Sequence, residues 1–422
     1  MPELIQGPVG SNDLPVNGRY IDGEGRLYWN KERMDFPFIT FLGMNGRVYG
    51  GNPYGVEGPI GEMYGGEVNV SGQALSKRKV LNAEYQIFED EVLEDTTTVN
   101  LVAGYSASAT SIVVTDASIF SKNDQVLVPR TSEVFVVTAS DLTTNTLTVV
   151  RGVGSTAAAL VNADYLVRLA SAYAVNALSG TAKMTVPTRN YNYTQIFRTP
   201  VQIGRTDKDS KVNYSPTSDL DRLKRQAGIE HLRSQERAFL FGGREERAAV
   251  DGSGTRQRFT GGVFSLLTSN VMDLSGSGGV MTQGSVDAFA ELVFARGSTE
   301  KIAFCSPRVL SRINGLYDNL IRYEPETKMF GSNVMELVTS HGVLKLVRHP
   351  MFGKGGIAQK HAGTMLVIDP ASVKYAHLDQ AENMYHDNIQ ENDRDGYKGE
   401  WLGECGLHLA NETAHGVMLN VL

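Results

Sequence analysis

The sequence is poor in cysteine, and this scarcity excludes a fold built on disulfide bonds. Only Cys305 and Cys405 occur among the 422 residues, so no disulfide framework can hold the chain together. No apolar run approaches the roughly 18 residues of a membrane-spanning helix. The first residues also lack the basic segment and apolar stretch of a secretory signal peptide. We therefore expect synthesis and folding in a reducing cytoplasm, with no membrane partner.

Clustered positive charge is missing as well. The chain has 40 Lys and Arg against 47 Asp and Glu, a formal net charge of -7, and no basic block in its sequence. Dedicated nucleic-acid readers bind through clustered Lys and Arg, so that class of protein is disfavoured. The composition is otherwise that of a globular protein, and the length suggests about two to four domains.

The N-terminal fifth of the chain combines many glycines with scattered aromatic side chains. Residues 1–82 contain 15 of the 44 glycines, and so glycine-rich a stretch cannot pack a core of its own. Its aromatic residues predict an extended arm that lies either on the rest of the chain or on another subunit. The candidate intersubunit contacts in this arm are Trp29, Phe36, Phe38, Tyr54 and Tyr64.

Residues 96–172 differ from the rest of the chain in carrying little charge. Only nine of these 77 residues are charged, and short β-branched runs recur between turn signals. The spacing of the runs predicts a small independent β-barrel or sandwich, with a β-meander inside one larger sheet as the alternative. The five runs are 111–115, 125–128, 134–138, 147–150 and 165–169.

Two aromatic-rich segments flank this module. Tyr85–Glu89 precedes it and Arg189–Arg198 follows it, and their partial alternation predicts extended strands. An outgoing strand, an inserted domain and a returning strand would together form one long arm.

The clearest helix signal follows the arm. Ser215 offers an N-cap, Pro216 suits the first helical position, and an imperfect apolar stripe continues to Phe241. Gly242–Gly243 ends the pattern. Gly228, inside the helix, is expected to let it bend, because interior glycine weakens a helix.

Arginines are frequent on this helix, and Arg222, Arg225 and Arg233 are further candidate intersubunit contacts. Acidic residues are interspersed with them. A solvated or intersubunit face with ion pairs is therefore favoured over a nucleic-acid surface.

The last third mixes helix and strand signals, so the whole chain is predicted to be α+β. The helices are expected at 286–295 and 307–316, and the strands at 301–305, 336–340, 343–347, 364–370, 404–409 and 416–421.

Motifs that carry catalytic or metal chemistry are missing. Gly353–Gly356 lacks the leading glycine and the hydroxyl of a phosphate-binding loop. No histidine pair has the helical spacing of a catalytic zinc site. Cys405 and His408 are three residues apart on a predicted strand, hence on opposite faces. We expect no catalytic residue, no cofactor and no metal.

The order of these parts resembles the major capsid proteins of tailed bacteriophages, which have the Hong Kong 97-like fold. Residues 190–198 are similar to the returning arm strand of one capsid subfamily. Residues 338–347 and 366–370 are similar to its axial domain, and residues 399–411 and 414–416 to its C-terminal strands. The resemblance covers most of residues 85–422.

This resemblance implies an α+β Hong Kong 97-like fold with an N-arm, an extended β-arm (the E-loop), a long spine helix, peripheral and axial domains, and a small all-β insertion domain. The implied divisions are an N-terminal arm (1–45), outgoing arm (46–95), inserted β domain (96–172), returning arm strand (173–206), spine helix and peripheral domain (207–330), axial domain (331–384) and C-terminal strands returning to the peripheral domain (385–422).

The resemblance also implies partners and a location. We expect hexamers and pentamers of the chain in an icosahedral shell, a portal, separate scaffolding or decoration proteins, and non-specific contact with packaged double-stranded DNA. The protein would be made in the host bacterial cytoplasm and end in the capsid of the virion. A tail or fibre component and an enzyme with an inserted β domain are the alternatives.

Overall fold

The computed structural model describes residues 37–42, 77–177, 180, 182–210, 219–250, 252–316, 321–329, 332–353 and 355–422. The chain divides into two units. One consists of Phe88–Arg189, here called the inserted unit, and the other, here called the body, contains the remaining residues.

The described residues contain seven α-helices, all of them in the body. The long helix ends at Phe241 as predicted, and the helix at 307–316 has the predicted bounds. The helices are α1 (Pro37–Phe41), α2 (Arg205–Asp209), α3 (Asp219–Phe241), α4 (Val263–Leu266), α5 (Gln283–Phe294), α6 (Pro307–Leu316) and α7 (Gly355–His361).

Strands make up the larger part of both units. They are β1 (Arg78–Val80), β2 (Glu84–Glu89), β3 (Thr96–Thr98), β4 (Ser111–Val113), β5 (Asp124–Val128), β6 (Glu133–Asp141), β7 (Thr146–Val150), β8 (Tyr165–Ser171), β9 (Thr188–Tyr193), β10 (Gln195–Gly204), β11 (Glu245–Ala248), β12 (Arg256–Phe259), β13 (Val271–Asp273), β14 (Glu300–Cys305), β15 (Ile321–Met329), β16 (Ser332–Val338), β17 (Val343–Arg348), β18 (Met365–Ile368), β19 (Val373–Leu378), β20 (Met384–His386), β21 (Gly396–Leu409) and β22 (Gly416–Leu419).

The inserted unit is built on a six-stranded antiparallel sheet in the order β3-β8-β5-β6-β7-β4. All five predicted runs form strands, and β3 is an addition that its three threonines did not reveal. Alternate residues of β5 and β6 point inward, so Val126, Val128, Phe135 and Val137 are fully buried in a core made only of residues of this unit. This is the period-two burial that a half-exposed sheet requires.

Most charges of residues 96–172 pair with one another. Asp124 pairs with Arg168, Glu133 with Arg151, and Asp164 with Arg130. The Glu133–Arg151 pair is bidentate, with Nε–Oε1 and Nη2–Oε2 distances of 2.6 and 2.5 Å. Six of the nine charged residues of 96–172 are therefore used to fix loops and strand ends.

Two larger sheets lie in the described part of the body, beside the two-stranded sheet β11-β12. One has the order β1-β19-β21-β10, with β20 also pairing β21, and the other is seven-stranded in the order β13-β22-β18-β14-β17-β16-β15. The long strand β21 pairs along the whole of β10, from Gln195 opposite Cys405 to Gly204 opposite Gly396. The predicted single strand at 189–198 is thus divided at Thr194 between β9, which pairs with β2, and β10.

Strand β14 separates two hydrophobic cores. Ile302 and Phe304 face a core shared with α1 and α3, whereas Ala303 and Cys305 face a core shared with α5 and α6. Because successive side chains of a strand point to opposite faces, a strand covered on both sides is apolar throughout. This explains the continuous apolar run from which the strand was predicted.

The helix α3 has 23 residues, which corresponds to about 35 Å. Its predicted N-cap, Ser215–Pro216, lies outside the described residues. Gly242 ends it as predicted: a Cβ there would lie 2.4 Å from the carbonyl oxygen of Ala238 and 2.5 Å from that of Thr260. Only glycine fits that close approach of two backbone segments.

Candidate functional site

The candidate contact residues of the N-terminal arm fall into two groups. Trp29, Phe36, Tyr54 and Tyr64 lie outside the described residues. Phe38 lies in α1 and is fully buried in the core of its own chain, where its ring contacts Phe304 edge-on at 5.5 Å. Of the two places predicted for the arm, Phe38 therefore occupies the one on the rest of the chain, and the expectation of an intersubunit contact is corrected for this residue.

Glu236 fixes the backbone of this segment. The backbone N–H groups of Phe38 and Ile39 donate to its two carboxylate oxygens at 2.9 and 2.6 Å. His349 Nε2 lies 2.9 Å from Glu236 Oε1 on the other side. All of these groups are buried, so a carboxylate on the predicted apolar stripe of α3 is used to hold α1, a role that sequence reasoning missed.

A second polar network joins α3 to the turn before β20. Asn383 Oδ1 accepts from Gln235 Nε2 at 2.7 Å and lies 3.2 Å from His231 Nε2, while Thr199 Oγ1 lies 3.1 Å from His231 Nδ1. Burial lowers the pKa of His231. The spacing of His231 and Gln235, four residues apart, was the sequence signal for a polar face at this point.

The three candidate arginines of α3 lie on its outer side. Arg222 pairs with Asp219 at 2.6 Å, and Arg233 approaches Glu230 at 3.8 Å, both with i, i+3 spacing. Arg225 is exposed, and no carboxylate pairs with it among the residues described. Among the described residues, Arg222 and Arg233 thus form ion pairs on this surface, and Arg225 is unpaired.

Uncovered apolar side chains concentrate in the two segments that connect β2 and β9 to the inserted sheet. Val92 is 92% exposed, Met184 86% and Val186 87%. These segments, 90–95 and 172–187, have no regular secondary structure where described, yet they are tied together. Thr185 Oγ1 donates to Asp90 Oδ1 at 2.7 Å, and Lys183 Nζ lies 3.4 Å from Asp124 Oδ2.

Cys305 and Cys405 are buried, and neither forms a hydrogen bond with a histidine within the described part of the chain. Burial raises the pKa of the Cys305 thiol and, for Cys405, raises it to about 12. His408 Nδ1 lies 2.7 Å from Arg78 Nη1 rather than beside Cys405, and burial together with Arg78 and Lys374 lowers its pKa to about 4. No group of three or more potential metal ligands occurs within the described ranges.

None of the described helices is both long enough and apolar enough to cross a lipid bilayer.

These observations define a class. The described residues combine an α+β body that contains a long helix with an inserted β unit and with connecting segments of uncovered apolar residues. The family model for the SU10 major capsid protein matches residues 66–422. The chain therefore belongs to the SU10 major capsid protein family.

Solved structures give weaker likenesses. The cyanophage A-1(L) capsid asymmetric unit has a TM-score of 0.43 at 8% identity, covering 60% of this chain and 85% of that one. The holo-SrpI encapsulin complex of Synechococcus elongatus PCC 7942 has a TM-score of 0.40 at 13% identity, covering 56% and 78%. The capsid of the native GTA particle has a TM-score of 0.38 at 12% identity, covering 60% and 80%.

All three TM-scores are below 0.5, so the assignment rests on the family match. No curated protein matches the chain. The family match confirms the predicted resemblance to major capsid proteins and with it a place in the capsid of the virion. It favours the shell protein over the tail or fibre component, and the α+β class is confirmed by the helices and strands themselves.

Proposed function

We propose that the chain assembles as hexamers and pentamers into a closed icosahedral shell that encloses the double-stranded DNA of a tailed phage. The subunit is made in the host bacterial cytoplasm and serves a structural rather than a catalytic purpose. Membership of a major capsid protein family supports this proposal. The observation that carries it is the set of uncovered apolar side chains on the connecting segments.

Apolar side chains that remain exposed together mark contact surfaces. Val92 and Val186 are almost as accessible as in an extended chain, and soluble monomers rarely expose contiguous apolar patches. Each buried valine side chain contributes about 1.5–3 kcal/mol relative to an exposed one. Repeated at every subunit contact of a shell, burial of these residues would stabilise the assembly strongly.

The structural roles that we propose for the segments follow their order in the sequence. Since β1 and β10 belong to a sheet of the body, the parts of the outgoing and returning arm segments (46–95 and 173–206) that lie on a neighbouring subunit include the connecting segments 90–95 and 172–187. The inserted β domain, 96–172, faces outward. The spine helix and peripheral domain (207–330), the axial domain (331–384) and the C-terminal strands (385–422) form the shell itself. A portal and separate scaffolding or decoration proteins complete the assembly.

The outer side of α3 is the second proposed contact. Arg225 is exposed and unpaired among the described residues, and Arg222 and Arg233 are held near it by carboxylates of the same helix. Such a cation is available to a carboxylate of a neighbouring subunit. Of the arm aromatics, Trp29, Phe36, Tyr54 and Tyr64 remain proposed intersubunit contacts.

Substitution of the uncovered valines tests the shell. The double variant Val92→Glu/Val186→Glu should fold but fail to form shells, because charge on both connecting segments opposes their burial. The control is Val102→Glu/Leu142→Glu, which places the same two charges on exposed apolar positions in turns of the inserted unit. Negative-stain microscopy and sedimentation velocity measure the outcome. Normal shells from the double variant would contradict the proposed contact between the connecting segments and a neighbouring subunit. Monodisperse monomers from the unmodified chain would contradict the proposed assembly into a shell.

A further inference from the structure

Four exposed basic side chains lie at one end of the seven-stranded sheet. Arg308 and Arg312 belong to α6, Arg348 ends β17, and Lys360 lies in α7. We call these four residues the basic end cluster. Within the described part of the chain, no carboxylate pairs with any of them.

The topology of the sheet brings these residues together. Cys305 at the end of β14 is in register with Arg348 at the end of the parallel strand β17, so α6 and the loop after β17 begin at the same edge. That loop packs on α6, since a Cβ on Gly353 would lie 3.4 Å from the ring of Pro307. Arg308 and Lys360 line the same open surface pocket.

Helix α6 turns its basic side outward. Val309, Leu310 and Ile313 are buried in the core, whereas Arg308 and Arg312 are exposed. Their spacing of four residues places them on one face, about 6 Å apart along the helix axis.

Carboxylates are scarce around this cluster. The sequence contains no Asp or Glu from Ser306 to Leu316 or from Arg348 to Ile368, while it adds Lys354, which lies outside the described residues. Asp273 is close in sequence to the pocket residue Ser275, but it accepts hydrogen bonds from Asn420 Nδ2 at 2.7 Å and from the Ser275 N–H at 2.8 Å. Leu422, the last residue, also lines the pocket.

Some exposed cations elsewhere in the described chain have carboxylate partners. Arg237 pairs with Glu230, and Arg256 pairs with Glu246 at 2.5 Å. An uncompensated local excess of positive charge in a chain of net charge -7 points to an external polyanion.

We propose that the basic end cluster contacts the phosphate backbone of the packaged double-stranded DNA without reading its sequence. This inference rests on the proposed function, because it needs a shell that encloses DNA. Three of the four residues are arginines, whose planar guanidinium groups match phosphate oxygens. The exposed face of α6 carries no aromatic anchor of the kind that protein interfaces use, whereas phosphate contacts need none.

The test compares two triple variants of the full chain, each of which loses three positive charges. One is Arg308→Gln/Arg312→Gln/Lys360→Gln. The matched control is Lys122→Gln/Arg198→Gln/Arg247→Gln, which changes side chains that are exposed elsewhere. Fluorescence anisotropy measures the binding of a short DNA duplex over a salt series, and thermal melting checks that each variant folds.

The slope of log Kobs against log salt is the decisive readout. Each phosphate contact contributes about 0.9 to the magnitude of this slope. The slope of the cluster variant should therefore be smaller by about 2–3, and this variant should bind DNA at least about tenfold more weakly at low salt. The slope of the control variant should be smaller by about 1 or less. A third variant, Arg308→Lys/Arg312→Lys/Lys360→Arg, keeps the charges and should keep the slope.

Equal losses from the two glutamine triples would overturn the proposal, since binding would then follow net charge alone. A cluster variant that keeps DNA binding but loses binding to polyglutamate would also overturn it, in favour of an acidic protein segment. Shell formation is scored separately by microscopy. Failure of the unmodified chain to form shells contradicts the proposed function, whereas the salt slope is measured on the chain whether or not shells form.

Discussion

At the scale of single residues, Gly228 is a helix glycine whose presence is explained by a close contact with a strand. The sequence placed it inside α3 as a point of bending. In the structure a Cβ on Gly228 would lie 3.3 Å from both Cε2 and Cζ2 of Trp401. Trp401 is held in turn, because its Nε1 donates to the Lys224 carbonyl at 3.1 Å. Gly228 therefore lets β21 approach the helix; the bending role stays a prediction.

Gly228→Ala should lower the free energy of unfolding by about 1 kcal/mol. The helix would gain about 1 kcal/mol from alanine, but overpacking against a fixed indole costs about 1–3 kcal/mol. Gly284→Ala in α5 is the control: no atom lies within 4 Å of its added Cβ, so stability should rise. Denaturant unfolding measures both. Stabilisation by Gly228→Ala, or no reversal of its effect in a Trp401→Phe background, would contradict the packing account.

Lys301 is a buried cation whose hydrogen-bond acceptors are all backbone carbonyls. Its Nζ donates to Val293, Arg296 and Ala414 at 2.8, 2.7 and 2.6 Å. The Val293 carbonyl belongs to the last turn of α5, where helix carbonyls lack intrahelical partners, and the Arg296 carbonyl follows two residues after the helix ends. Burial lowers the pKa of Lys301, and Asp369 opposes that shift.

Lys301→Met should destabilise the chain by about 2–3 kcal/mol. The apolar side chain fills the space but leaves three buried carbonyls without a donor, each at a cost of about 1–3 kcal/mol, while the desolvation of the ammonium is relieved. Lys79→Met, which breaks the exposed pair with Asp379, should change stability by about 1 kcal/mol or less. Equal effects of the two substitutions on unfolding would show that Lys301 is not a structural cation.

At the scale of elements, the inserted unit depends on ionised carboxylates. For Asp164 the hydrogen bond from Arg130 is the main reason that its pKa is lowered. Burial alone would raise the pKa of Asp124 and of Glu133. Hydrogen bonds from Ser171 and Arg168 to Asp124 outweigh this effect, so the pKa of Asp124 is lowered. A hydrogen bond from Arg151 does the same for Glu133, whose pKa is also lowered. A carboxylate with a lowered folded pKa contributes stability above its unfolded pKa and loses it as pH falls through the folded value.

The fragment 88–189 should therefore melt at a steadily lower temperature as the pH falls below about 4.5, near the ordinary pKa of a glutamate. Circular dichroism between neutral and acidic pH measures the melting temperature. Glu133→Gln should lower it at neutral pH, because Arg151 loses its ionic partner, and should flatten the acid dependence. A melting temperature that does not change with acidification would show that these pairs do not stabilise the unit.

The elements differ in how well their sequence determines them. The five runs of the inserted unit and the buried strand β14 were predicted from period-two and continuous apolar patterns, which depend on neighbouring residues only. The division of 189–198 at Thr194 was not predictable, because β10 is defined by its pairing with β21 about 200 residues later. The roles of Glu236 and His349 likewise depend on α1, which is far from both in sequence.

The basic end cluster was hidden for the same reason. Its members are spread from Arg308 to Lys360, so no window of the sequence contains a basic block. Parallel pairing of β14 and β17 places their ends together, and only then do the charges form one surface. A charge count along the chain cannot detect a patch that the topology assembles.

At the scale of the whole molecule, an isolated chain leaves apolar surface exposed that contacts between subunits of a shell would cover. The connecting segments 90–95 and 172–187 expose valine and methionine side chains, and backbone of this kind, without ladder hydrogen bonds, opens easily in a free subunit. Burial against a neighbour would remove both the apolar exposure and the ease of opening.

Hydrogen exchange should therefore distinguish the free subunit from the shell in these segments. Peptides that contain Val92 or Val186 should exchange at least about tenfold more slowly in purified shells than in the unassembled chain, which corresponds to about 1.4 kcal/mol of added protection. Peptides from the buried strands β14 and β18 should change little, since they are covered in the subunit itself. The turn at 142–145 of the inserted unit serves as an exposed control. Equal exchange of the connecting segments in both samples would mean that the shell leaves them uncovered, and the contact between subunits would then have to be sought on the outer side of α3, where Arg225 is the first residue to substitute.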